Sequence, residues 1–200
     1  MNNSQGGTAV KVIAFNGSPR RNGNTAMLIN RVFDELNNAG IETECFQLGG
    51  KDIRGCLGCM KCFEARDNTC VARKDDILNE YFQNMIEADG IIIGSPTYFS
   101  NVSAEVKALI DRAGLVAIAN GYSLKRKVGA AVVAVRRAGA VNVFDAINKF
   151  FLINQVIVPG SVYWNMGFGL NKEEVQDDAE GMTIMKILGE NMAWLLNKIS

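Results

Sequence analysis

Residues 10–25 read VKVIAFNGSPRRNGNT, a strand, a polar turn and the start of a helix in sixteen residues. Val10 to Phe15 is a short apolar run, the mark of a buried strand. It stops at the polar turn Asn16-Gly17-Ser18-Pro19. Two arginines follow, then Gly23-Asn24-Thr25, and a helical pattern begins at Ala26. A strand, a loop of small residues and a helix N-terminus together make an anion site, because the loop N–H groups and the helix dipole point at the same place. Ser18, Asn24 and Thr25 add short donors, and Arg20 adds charge. The plain alternative is a polar βα turn with no ligand.

The cradle is not that of an NTPase. Five residues separate Gly17 from Gly23 where that motif has four, and Asn24 stands where its lysine should be. The dinucleotide fingerprint G-x-G-x-x-G is also absent after this strand. A loop rich in Ser and Thr suits one terminal phosphate, such as that of FMN.

The rest of the chain repeats the alternation. Residues 25–38 carry Ala26, Ile29, Phe33 and Leu36 at helical spacing, with Asn24 as the expected N-cap and Gly40 as the stop. Strands are expected over 41–48, 90–94, 127–135 and 155–158. Helices are expected from Asp75 or Asp76 to Ala88, from Ser103 onward with Val106, Leu109, Ile110 and Ala113 facing inward, after the 136–140 loop through Phe151, and over 173–199 with a stripe of Met185, Leu188, Met192, Leu195 and Ile199. Five strands alternating with helices predict an α/β, doubly wound parallel sheet. Ligands of such sheets bind at the carboxyl ends of the strands. Three loops there, 16–25, 95–101 and 136–141, are expected to share one rim.

Composition sets the outer bounds. Two hundred residues suit a single domain over 9–200, and a 48% hydrophobic content supplies its core. The 21 basic and 21 acidic side chains cancel, so no bulk footprint for nucleic acid exists. No apolar run is long enough for a membrane helix. MNNSQGGT, residues 1–8, lacks the features of a signal peptide and reads as a disordered polar tail, which points to a cytoplasmic protein. The chain has no histidine, which removes Ser-His-Asp and Cys-His catalysis and every His-ligated metal or haem site.

Residues 51–74 differ in kind: charged, without a clean period, and holding four of the five cysteines. Cys56-x2-Cys59-x2-Cys62-x7-Cys70 offers four thiolates to one centre, the local chemistry of an iron–sulfur cluster. Zinc, which favours two separated C-x2-C knuckles, a redox disulfide, and a loop of free thiols stay open as alternatives. Cys45 sits alone in a strand and reads as core.

Gly17-Ser18-Pro19-Arg20 with Gly23-Asn24-Thr25, the cysteine loop ending in Asp75-Asp76, and Gly94-Ser95-Pro96-Thr97-Tyr98 together resemble the flavodoxin-like NADPH-dependent FMN reductase superfamily, nearest to its iron–sulfur flavoproteins. The resemblance spans about residues 9–160. It implies a flavodoxin-like fold of strand order 2-1-3-4-5 with a cysteine-rich insertion at 51–74, bound FMN, and homodimers or homotetramers. It implies a phosphate loop at Ser18, Arg20, Asn24 and Thr25, and a flavin-ring loop at Pro96, Thr97, Tyr98, Phe99 and Ser100. A third loop would contribute Arg136 and Gly139. Cluster ligands would be Cys56, Cys59, Cys62 and Cys70.

Two functions fit this resemblance. One is electron transfer between a [4Fe–4S] cluster and FMN, with a small ferredoxin-like redox protein as partner and no catalytic side chain required. The other is an NAD(P)H-dependent FMN or quinone reductase with a silent cysteine loop, in which Arg136 or Arg137 holds a nucleotide phosphate. A zinc-stapled, non-catalytic binding protein is the third class.

Overall fold

The computed structural model describes residues 9–199, so the tail expected over residues 1–8 lies outside the described residues. In chain order the elements are β1 (Lys11–Asn16), α1 (Asn24–Asn38), β2 (Glu42–Gln47), α2 (Lys61–Ala65), α3 (Leu78–Glu87), β3 (Gly90–Pro96), α4 (Ala104–Ala119), β4 (Val128–Val135), α5 (Ala140–Ile153), β5 (Met166–Phe168), a 3-10 turn (Glu174–Asp177) and α6 (Ala179–Ile199). The strands form one parallel sheet in the order β2-β1-β3-β4-β5.

The apolar runs explain the layers. Strand side chains alternate between faces, so a strand covered on both faces must be apolar at every position. Val12 and Ala14 of β1 pack with α1 and α6, whereas Ile13 and Phe15 join the layer of α3, α4 and α5. β4 is buried at all eight positions for the same reason. β2 is an edge strand and reads differently, with Glu42 and Glu44 on it. Cys45 lies on that edge and is exposed, so the expectation of a core thiol is wrong.

Local signals set the helix ends. After α1, Gly40 takes φ +78°, and the Gly40 and Ile41 N–H groups donate to the Asn37 and Leu36 carbonyls at 3.0 Å each. That pair of bonds is a Schellman stop, and it turns the chain into β2. α3 begins at Leu78 rather than at Asp75 or Asp76, although the Leu78 N–H does donate to Asp76 Oδ1 at 3.3 Å. α6 begins at Ala179 rather than at 173, because Asp178 accepts the Gly181 N–H at 2.9 Å and sets a new start. Its buried stripe is Met185, Leu188, Met192 and Leu196, packed on α1; Leu195 is half-buried and Ile199 is exposed. Each Leu or Ile fully buried in that seam contributes roughly 1.5–3 kcal/mol.

The fifth strand is the main departure. Residues 155–158 make a single parallel bridge, Ile157 to Val128, and the chain then leaves the sheet. It returns as Met166–Phe168 beside the end of β4. The excursion leaves Val162, Tyr163 and Trp164 exposed. Among the described residues, no helix is long and apolar enough to cross a membrane.

Candidate functional site

In a parallel sheet all carboxyl ends lie on one rim. β1 and β3 are neighbours whose connections leave in opposite directions, to β2 and to β4, so the crevice opens between them. A cavity of about 240 Å³ stands there. Ser18, Arg20, Asn24 and Thr25 line it from the first loop, Pro96, Thr97 and Tyr98 from the second, Ala134 and Val135 from the end of β4, and Arg136 from the third loop. The three loops do share one rim.

The first loop is held from beneath. Its backbone returns to the sheet through the Gly17 N–H, which donates to the Gly94 carbonyl at 2.8 Å. The Ser18 N–H donates to Asn16 Oδ1 at 3.1 Å and the Arg20 N–H to Ser18 Oγ at 3.2 Å. Gln47, at the end of β2, donates to the Ser18 carbonyl at 2.6 Å and the Gly49 carbonyl at 2.8 Å. Gly49 lies so close under the loop that a Cβ there would stand 2.3 Å from the Ser18 carbonyl carbon.

The N-terminus of α1 opens on the cavity. Gly23, not Asn24, occupies the N-cap position, and no side chain caps the helix. The physical reason is that the Asn24 side chain is engaged elsewhere. It donates to the Asn171 carbonyl at 2.9 Å and accepts the Val175 N–H at 3.5 Å, tying the first turn of α1 to the segment after β5. The N–H groups of Asn24, Thr25 and Ala26 therefore have no acceptor within the helix. With the buried hydroxyls of Ser18 and Thr25 beside them, they form a donor-rich site suited to a phosphate.

The second loop is a tight turn. Its base is fixed by the Thr97 N–H, which donates to the Ala134 carbonyl at 2.9 Å, and by reciprocal bonds between Tyr98 and Asn101. Phe99 and Ser100 take left-handed φ values of 47° and 59° to close it, and Phe99 projects fully into solvent. Phe99, Ser100 and Gly139 are not among the lining residues. Ser100 and Gly139 instead meet one another: Gly139 has φ +87°, and a Cβ on it would lie 2.5 Å from Ser100 Oγ. That contact docks the second loop on the third. Thr97 lines the cavity, and its Oγ1 is shut off from solvent without a hydrogen-bond partner.

Gly169 and Leu170 also line the cavity and had no place in the sequence reading. They follow the true β5, which a three-residue strand built around Gly167 scarcely signals. A wider basin adjoins through the shared residues Arg20 and Leu170, with Arg21 and Lys172 on its wall.

The cysteine segment lies against α4. Cys56, Cys59, Cys62 and Cys70 line one small cavity, about 20 Å³, with Arg112, Leu115 and Val116 of α4 as its floor. Cys56 and Cys59 are exposed, Cys70 is half-buried, and Cys62 is buried, which pushes its thiol pKa up. No disulfide forms among them. Among the described residues, no three Cys, Asp or Glu groups converge tightly enough to hold a single metal ion. The four thiols share one wall.

Comparison with known proteins agrees with this geometry. The model of the NADPH-dependent FMN reductase family matches residues 10–171. An iron–sulfur flavoprotein of Methanocaldococcus jannaschii is 37% identical over 197 residues, covering 95% of this chain and 99% of that one. An iron–sulfur flavoprotein of Methanosarcina thermophila is 30% identical over 193 residues, covering 95% and 97%. Among solved structures, RosB with bound 8-demethyl-8-formylriboflavin-5'-phosphate aligns with a TM-score of 0.77 at 20% identity, over 96% of this chain and 80% of that chain. A flavodoxin, WrbA-like protein of Agrobacterium tumefaciens aligns with a TM-score of 0.66 at 11% identity, over 96% and 100%. These structures share the flavodoxin-like fold. The chain is an FMN-binding, flavin-dependent oxidoreductase that belongs to the NADPH-dependent FMN reductase family, close to its iron–sulfur flavoproteins.

Proposed function

We propose that this protein transfers electrons between a [4Fe–4S] cluster held by Cys56, Cys59, Cys62 and Cys70 and FMN held in the rim crevice. The observation that carries the proposal is the sharing of one cavity wall by all four cysteines of the segment, on a chain whose flavin crevice is built separately. FMN supplies chemistry in one- or two-electron units and the cluster supplies single electrons, so together they link the two kinds of partner.

The chain's own residues have defined tasks in this reading. Ser18, Thr25 and the open N–H groups of α1 bind the phosphate, with Arg20 opposing its charge. Pro96, Thr97, Tyr98 and Arg136 flank the ring system, and the unpartnered Thr97 hydroxyl fits an acceptor-rich ligand. No side chain acts as acid or base, in keeping with the absence of histidine. A small ferredoxin-like redox protein is the proposed partner. Self-association into a homodimer or homotetramer is supported by the exposed apolar residues Val162, Tyr163, Trp164 and Phe168.

A second reading, an NAD(P)H-dependent reductase without a cluster, has one observation in its favour: the cysteine cavity is small, about 20 Å³. In it, Arg136 at the crevice edge holds a nucleotide phosphate.

An absorption spectrum of protein purified without oxygen, with iron, sulfide and zinc counted on the same sample, tests both. Flavin bands with a broad shoulder and about four iron per chain are expected. Flavin bands alone, with no iron after reconstitution, favour the second reading. Zinc at one per chain without flavin overturns both.

A further inference from the structure

Arg112 is buried in the middle of α4, 1% exposed. A guanidinium keeps its charge in a protein, so it must be met by acceptors when buried. Three meet it. The Asp76 carboxylate, whose side chain is equally closed to solvent, pairs with Nη1. Nη1 also donates to the Arg54 carbonyl at 3.1 Å, and Nη2 donates to the Arg73 carbonyl at 2.9 Å. Asp76 completes the arrangement by accepting the Arg54 N–H at 3.0 Å.

The places these bonds land matter more than their number. Arg54 stands just before Cys56, and Arg73 just after Cys70. One side chain from α4 therefore ties both ends of the cysteine segment together. The same guanidinium lies on the floor of the cavity that the four cysteines line. Its Nε is buried without a hydrogen-bond partner, and the Cys70 thiol lies within reach of the group.

We propose that Arg112 is a positioning residue for the metallocentre. It closes residues 54–73 into a loop before any iron arrives, turns the four thiols toward one cavity, and supplies the buried positive charge that faces their thiolates. The inference rests on the cluster reading above. Closing a loop of this length costs chain entropy, which the fork meets in advance of binding. Lysine cannot replace it, because one ammonium on a flexible stem cannot span two carbonyls and a carboxylate in one plane. Groups outside a metal's own ligands commonly set its affinity by 10–100-fold, and nearby charge and hydrogen bonds to sulfur set a cluster's potential.

The test compares wild type, Arg112→Lys and Arg112→Gln, each prepared with FMN bound and without oxygen. Four quantities are read: FMN per chain, iron and sulfide per chain after reconstitution with ferrous iron and sulfide, the cluster midpoint potential by EPR-monitored titration, and the rate of trypsin cleavage within 54–74 in the iron-free protein. FMN content is expected to stay within twofold of wild type. Cleavage should accelerate about tenfold in both variants, and iron retention should fall by about 10–100-fold. Where iron is retained, the potential should fall in Arg112→Gln and stay near wild type in Arg112→Lys, a split that lost packing alone would not give. Wild-type cleavage and iron uptake in Arg112→Gln overturn the proposal. If that variant fails to bind FMN, the same result in Arg112→Lys overturns it. Wild-type protein that takes up no iron overturns the cluster reading instead, and the cleavage rates then decide the clamp alone.

Discussion

Asn16 Nδ2 donates to Gln47 Oε1 at 2.9 Å, joining the carboxyl end of β1 to that of the edge strand β2. Gln47 passes the connection on to the Ser18 carbonyl, and so an edge-strand side chain fixes the height of the phosphate loop. Replacing Gln47 by Leu keeps the volume and removes both donors. Buried acceptors left unpaired cost about 1–3 kcal/mol, so stability in urea should fall by that amount. FMN affinity, read by fluorescence titration of the flavin-free protein, should weaken by about tenfold, a loss of about 1.4 kcal/mol.

Gly49→Ala should abolish FMN retention in a chain that still folds. The added methyl would stand 2.5 Å from the Ser18 carbonyl oxygen and 2.6 Å from the Pro19 nitrogen. Both are backbone atoms, so the loop itself must shift. Gly160→Ala, where a Cβ meets nothing within 4 Å, is the matched control and should bind FMN as wild type does. Equal retention in the two variants would refute the role given to Gly49.

Thr97→Val separates the empty crevice from the filled one. The Thr97 hydroxyl is buried without a partner, so its removal should leave the flavin-free protein as stable as wild type or about 1 kcal/mol more stable. The same change should weaken FMN binding severalfold. The stabilisation that FMN adds to the thermal melt should therefore be smaller in the variant than in wild type.

Serine at Cys56, Cys59, Cys62 or Cys70, one at a time, should lower bound iron and leave FMN content unchanged, because the thiol cavity and the flavin crevice are lined by different residues. Cys45→Ser is the control. Cys45 is exposed on the edge strand, outside both cavities, and iron, flavin and stability should all match wild type. Metal analysis of the five variants, each normalised to flavin absorbance, checks this.

Asp76→Asn should cost about 3–5 kcal/mol, because it leaves the Arg112 charge buried and uncompensated. The pH dependence follows from the carboxyl group. Burial pushes its pKa up, but the Arg112 guanidinium and the N–H groups of Arg54 and Leu78 outweigh that and hold it below the usual range. A pKa lower in the folded than in the unfolded chain adds stability above the unfolded value, about 3.9, and loses it as pH falls through the folded value. The gap between wild type and variant should be widest near neutral pH and should narrow below about pH 4. Urea unfolding across that range measures it.

Much of the architecture was legible because it depends on local periodicity. The unbroken apolar runs of β1, β3 and β4 reflect burial on two faces, which any strand between two helical layers requires. Gly40 marked the end of α1 because only a left-handed residue there lets the last carbonyls find partners. The strand expected at 155–158 misled for the converse reason. Val156-Ile157-Val158 has the composition of a strand, but sheet membership is decided by what lies alongside, and only Ile157 finds a partner there. The real edge strand carries Gly167, where Leu28 and Val175 press so close that a Cβ would meet them at 2.7 Å, and a glycine of that kind weakens any strand pattern.

The alternation of elements, the three loops of one rim and the four thiols within fifteen residues can all be read along the chain. These are matters of spacing along the chain, and spacing is local. The entry of Gly169 and Leu170 into the crevice, the support Gln47 gives the loop holding Ser18, and the place of Arg112 beneath the cysteines emerge with folding. Those pairs are brought together by packing across the sheet and along α4, over separations at which a one-dimensional pattern carries no contact information. Their energies come from burial and from paired polar groups, which exist only once the layers have closed.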